Sequence, residues 1–292
     1  MAVPKRVYVF LVIGILAASQ SGNIIRIGSA PSAAIAAWRL LLATAVLAPF
    51  GLKDARSLTA LSKKEICLLI VAGVALAAHF ISWIAAVKLT TVASASMFFA
   101  INPVLTAVAG YFIFGERMSA KLLIAIGLGI AGVAVIGGSD LNFDPDHIAG
   151  DALSLLCSAL FTVYFLLGKK LRQKLATNLY VTCVYGIAAL CCFAVMGAIN
   201  VPFAGYSSRN WICFGLMALI PTVLGHTAFN NALRFIAAGR ISAATLTEPL
   251  LAGTVAYFAW DEGLRSGAMV GYAMIAASVL VLVLDRQKLK SS

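Results

Sequence analysis

Apolar positions run along the chain in ten long blocks, with short polar segments between them. The blocks are roughly Val7–Gln20, Ala33–Phe50, Ile66–Val87, Ser94–Phe114, Leu122–Ile136, Ala152–Leu167, Leu179–Ile199, Trp211–Phe235, Ile241–Trp260 and Gly267–Leu284. A helix needs about 20 mostly apolar residues to cross the hydrocarbon core of a bilayer. Blocks that are apolar on every face predict helices whose solvent is lipid or other helices. The longest polar connections, Gly51–Glu65 and Gly137–Asp151, are too short to hold a second domain.

The pattern repeats. His79–Glu116 slides without a gap onto the stretch ending Ala232–Glu262. Ala86 then falls on Ala232, Lys88 on Arg234, Ser96 on Ser242, Pro103 on Pro249, Tyr111 on Tyr257, Phe112 on Phe258 and Glu116 on Glu262. A fixed offset over a whole hairpin marks an internal repeat, which predicts two halves, residues 1–139 and 148–287. Five helices per half is an odd number, so the second half enters the membrane inverted. The expected fold is therefore all-α and integral to the membrane: ten transmembrane helices as two inverted five-helix repeats around a central cavity. Inverted repeats are a mark of transporters that work by alternating access. Pro103 and Pro249 lie near the middle of the fourth and ninth blocks, and Pro221 within the eighth. Each removes a backbone donor. The matched pair reads as two hinges beside the cavity, or as packing kinks. Gly127, Gly129, Gly132 and Gly137 in the fifth block, and Gly267 and Gly271 opening the tenth, allow close helix approach within the chain or a dimer face.

Composition agrees with lipid as the solvent. The chain is 62% hydrophobic and 11% charged, with a mean hydropathy of +0.98; soluble domains carry about 25% charged residues. The net charge of +11 does not point to nucleic acid, because the basic residues sit in short loops rather than on one stripe. With the N-terminus inside, the inner loops hold Lys5, Arg6, Lys63, Lys64, Lys169, Lys170, Arg172 and Lys174, among others. The outer loops hold only Arg26, Lys88, Arg209 and Arg265. That bias puts both termini in the cytoplasm. The six cysteines lie in or beside apolar blocks with no C-x-x-C spacing, so neither disulfides nor a metal site is expected. Lys5-Arg6 before an apolar run has the look of a signal peptide, but cleavage would leave the first half a helix short.

Few residues remain for chemistry. Glu248 is the only acid deep in an apolar block, about 10 Å from Ile241 by helical rise. An ionisable group at such depth marks a functional site: it could bind a substrate ammonium or carry a proton, or simply be bonded to a carbonyl freed by Pro249. Its repeat partner is Asn102, an uncharged ligand or an interhelical hydrogen bond. Thr245 is grouped with Glu248. His79 has Ser82 beside it and Trp83 one turn on; His226 has Asn230 one turn on. Phe98 and Phe99, one turn before Asn102, would complete an aromatic patch for an apolar or aromatic side chain. Ser154, Ser158 and Thr162 form a polar stripe that either faces the cavity or joins two helices. Arg39 lies about 9 Å from the outer end of its helix, within snorkelling reach of the interface. No phosphate loop, metal-ligand spacing or paired-carboxylate site is present, so no enzyme, cofactor or metal is expected.

The two inverted fives, the WRLLLA run from Trp38, Gly115-Glu116 and its echo Asp261-Glu262 resemble the drug/metabolite transporter superfamily, and within it the EamA-type ten-helix exporters, most of all those for aromatic amino acids. The resemblance covers essentially the whole chain. It implies a monomer with a cavity lined mainly by the first, third, fourth, sixth, eighth and ninth helices. It also implies export of amino acids, or of hydrophobic cations, across a bacterial inner membrane. It transfers no ligand residue by residue.

Overall fold

The structure, a computed structural model, describes residues 3–138, 144–260 and 266–285, and among them every regular element is helical. The helices are α1 (Lys5–Ala18), α2 (Ser21–Ile25), α3 (Ser32–Gly51), α4 (Lys63–Leu89), α5 (Val92–Phe99), α6 (Asn102–Phe114), α7 (Ala120–Gly138), α8 (Pro145–Leu171), α9 (Thr177–Ala198), α10 (Ser208–Met217), α11 (Thr227–Ala232), α12 (Ala238–Ala244), α13 (Glu248–Trp260) and α14 (Ser266–Leu284). Starts are set by local side chains. Ser62 and Glu65 close a capping box on α4, and Thr91, Asp144 and Ser207 cap α5, α8 and α10. Gly115, with φ of 63°, ends α6 in the left-handed conformation.

Eight helical stretches among the described residues are long and apolar enough to cross a membrane, from Lys5–Ile25 to Ser208–Ala232. Their outward faces are apolar, as at Phe10, Val12, Phe112 and Leu190. This is a multi-pass membrane protein. The ninth apolar block is divided into α12 and α13, and α14 carries the tenth. Asp261, Glu262 and Arg265, used above for the repeat and the charge bias, lie outside the described residues.

Two of the expected continuous helices are broken. The fourth block stops at Phe99 and restarts at Asn102; the ninth stops at Ala244, passes through a 3-10 turn over Thr245–Thr247 and restarts at Glu248. Each proline is thus the second residue of a new helix rather than a kink inside one. A proline fits the first turn because its missing N–H has no partner to lose there. Pro221 acts differently. It sits in a π-helical stretch, Ala218–His226, where the Thr222 hydroxyl donates to the Met217 carbonyl at 2.7 Å.

Helices from the two ends of the chain interleave. α3 packs on α9, α4 on α8, α7 on α14, α6 on α12, and α1 on the π-helical stretch and α11. Gly132 and Gly271 meet within the chain: a Cβ on Gly132 would lie 2.7 Å from the Gly271 carbonyl, and one on Gly271 2.6 Å from that of Gly132. Gly127 faces open space. One end of the bundle is tied by charge. Lys169 pairs with Glu116 at 2.6 Å and Lys174 with Glu65 at 2.7 Å; Arg240 pairs with Asp285. The Ala238 N–H also donates to Glu116 at 3.1 Å.

Arg39 does not snorkel. It is 0% exposed, with its guanidinium turned into the bundle between α3 and the π-helical stretch. The Thr222 hydroxyl and the Phe80 ring hold it there. All six cysteines are free thiols.

A candidate substrate cavity

A cavity opens where the broken helices meet α1 and α4. It has two lobes that share Ala18, Ser21, Trp83, Phe99, Thr245 and Glu248. One lobe adds His79, Phe80, Phe161, His226 and Phe229. The other runs past Ser19, Gly22, Ser96, Pro103 and Pro249.

The first lobe is an aromatic box. The ring of Phe161 lies 5.1 Å from that of His79 and 5.9 Å from Phe99; Phe99 meets Trp83 edge-on at 5.7 Å. Phe80 meets His226 edge-on at 4.9 Å. These offset and edge contacts lock the rings against one another. Trp83 is oriented by its indole N–H, which donates to the Ser21 hydroxyl at 3.2 Å. His79 Nδ1 lies 3.0 Å from the Cys157 carbonyl. The Cys157 sulfur lies at the same 3.0 Å from Nδ1, so carbonyl and thiol together hold that side of the ring.

Glu248 opens α13 where the ninth block breaks. Among the described residues its carboxylate has no hydrogen-bond or ion-pair partner, while the side chains around it are aromatic or small. An aromatic box with one carboxylate suits a cation attached to an apolar group, held by charge and by ring faces.

Of the residues singled out in the sequence, His79, Trp83, Phe99, His226, Thr245 and Glu248 line the cavity, with Pro103 and Pro249 at its second lobe. Phe98 is half-buried in α5, away from the lining. Asn102 is fully buried in a polar knot. Its amide donates to the Ser158 carbonyl at 3.0 Å and the Thr162 hydroxyl at 2.9 Å, and its oxygen accepts from Ser242 and Thr106. Asn230 is also buried, its amide donating to the His226 carbonyl at 2.7 Å and to the Tyr164 hydroxyl. The stripe of Ser154, Ser158 and Thr162 therefore joins α8 to α5 and α6 instead of lining the cavity. Phe80, Phe161 and Phe229 also line the cavity, beyond the residues the sequence pattern points to. The available signal was Phe80 next to His79, and Phe161 one residue from Thr162.

The sequence profile of the EamA-like transporter family matches residues 5–138 and 148–284. The chain belongs to the EamA-like transporter family. Related proteins agree with that placement. An uncharacterized transporter of Archaeoglobus fulgidus is 27% identical over 205 residues, 68% of this chain and 70% of that protein. The uncharacterized transporters YetK and YyaM of Bacillus subtilis are 24% identical over 86% of this chain and 22% identical over 84%, covering 78% and 82% of their own lengths. One crystal structure superposes with a TM-score of 0.81 at 18% identity, over 99% of this chain and all of that one. At that identity the match speaks for the fold. This EamA-like protein is thus a membrane transporter of a small molecule.

Proposed function

We propose that this EamA-like transporter exports amino acids with aromatic or neutral side chains, or similar small metabolites, from the cytoplasm by alternating access. The observation that carries the reading is the Glu248 carboxylate inside an aromatic cavity, without a partner among the described residues. Glu248 would take the substrate ammonium, Trp83, Phe99 and His79 the side chain, and Thr245 a polar edge. Asn102, Asn230 and Phe98 would act from behind the lining. The resemblance to amino-acid exporters such as YddG within the drug/metabolite superfamily supports the same substrate class.

The chain would work as a monomer of two inverted halves, residues 1–139 and 148–287, with ten helices and both termini cytoplasmic in a bacterial inner membrane. Three features support the inversion. The two breaks fall at matching places, with Asn102 and Glu248 both opening a helix. The packing pairs are symmetric under exchange of halves: α1 with the π-helical stretch answers α4 with α8. The paired residues Phe112 and Phe258 are 77% and 80% exposed, each edge-on to the tyrosine before it. Such aromatics suit the two membrane interfaces.

The test is a panel of radiolabelled amino acids offered to proteoliposomes, with and without an imposed proton gradient. Saturable flux of aromatic amino acids is the expected result; flux of none of them overturns the reading. A flux that follows the gradient would make the transporter proton-coupled, and an indifferent flux would make it a facilitator. A second reading, export of hydrophobic cations, is favoured by the ring faces around Glu248. There, Glu248→Gln would abolish drug resistance yet spare neutral amino acids.

A further inference from the structure

Arg39 is a full positive charge inside the bundle, and among the described residues no carboxylate pairs with it. Its Nε and Nη2 both donate to the Thr222 hydroxyl, at 3.0 and 2.8 Å, and that hydroxyl in turn donates to the Met217 carbonyl. Nη1 is buried with no hydrogen-bond partner among the described residues. A neutral hydroxyl does not balance a guanidinium, and an unpaired buried charge is strongly destabilising. The Phe80 ring lies against it, with its centroid 3.8 Å from the guanidinium carbon, and Tyr185, Cys192 and Cys213 are also close enough to feel the charge. Phe80 and His226 both line the aromatic lobe of the cavity. One ring therefore stands between an uncompensated cation and the cavity that holds Glu248.

We infer that Arg39 is the carboxylate-recognition residue of this transporter, screened by Phe80 until a substrate displaces the ring. A guanidinium fork matches a carboxylate with two parallel N–H donors, and Nη1 is the donor left open for it. The inference rests on the reading of Glu248 as the ammonium partner and extends it: the substrate class is one that carries a carboxylate as well as an ammonium. The same charge would repel a simple hydrophobic cation.

The test is equilibrium binding to the purified full-length protein, comparing L-phenylalanine, L-phenylalaninamide and 3-phenylpropionate. Wild type should favour phenylalanine over its amide at least tenfold. Arg39→Gln should bring that ratio near one with amide binding retained, and Arg39→Lys should fall between. A purely structural arginine would change the yield or melting temperature but not the ratio. An Arg39→Gln protein that is folded and keeps the wild-type ratio overturns the inference, as does a wild type with no preference. Should Arg39→Gln fail to fold, Phe80→Leu decides. Unscreening the fork should raise the ratio, and an unchanged ratio counts against Arg39. Wild type that binds 3-phenylpropionate in an Arg39-dependent way but not phenylalanine would overturn the amino-acid reading while sustaining the role of Arg39.

Discussion

Glu248 and Asn102 hold matching positions, each opening a helix one residue before a proline, yet they differ in how well they are satisfied. Asn102 makes hydrogen bonds through both atoms of its amide; Glu248 makes none with the described residues. Removing Asn102 strands several buried groups, each at roughly 1–3 kcal/mol. Asn102→Ala should therefore lower the melting temperature in detergent by several degrees, while the folded fraction keeps its affinity for substrate. Glu248→Gln should do the reverse. The fold should survive, and affinity for ammonium-bearing substrates should drop at least tenfold, about 1.4 kcal/mol, as read by binding. The sequence shows that both lie deep in apolar blocks before a proline, but not which of them finds partners. The partners of Asn102 come from Ser158 and Ser242, 56 and 140 residues away, and nothing local announces them.

Among the elements, the broken helices bear most directly on transport. Pro103 and Pro249 showed in the sequence where the backbone ladder weakens, but not that a new helix begins there. That outcome depends on the 3-10 turn over Thr245–Thr247 and on the restart at Asn102, both set by tertiary packing. Pro103→Ala with Pro249→Ala would let each pair of half-helices join. The expected result is slower turnover in single-turnover flux with ligand affinity retained. The α7–α14 contact makes a second, purely structural prediction. Gly132→Val or Gly271→Val forces a side chain onto a facing carbonyl less than a Cβ contact away. Overpacking of this kind costs about 1–3 kcal/mol, visible as a lower melting temperature. Glycine content had left packing and dimerisation both open; the facing positions of the two residues place the contact within one chain.

For the molecule as a whole, the apolar blocks were readable because lipid requires every backbone polar group to be bonded within its own segment. Which block packs on which was not readable, since apolar faces in lipid carry no periodic mark. The interleaved answer, α3 on α9, α4 on α8 and α7 on α14, means that neither half encloses a core by itself. A polypeptide comprising residues 1–138 alone should be degraded in cells, and co-expression with residues 144–292 should restore it, as followed by immunoblot.

That interleaving has a consequence for biosynthesis. Arg39 enters the bilayer long before Thr222 exists, because 183 residues separate them. At about 5–20 residues per second, translation leaves the nascent guanidinium without its acceptor for on the order of ten seconds or more. During that interval the early spans must be sheltered by the insertion machinery, and any pause in elongation prolongs their exposure to membrane proteases. How much of this transporter reaches the cell membrane should then depend on codon choice across the middle of its message.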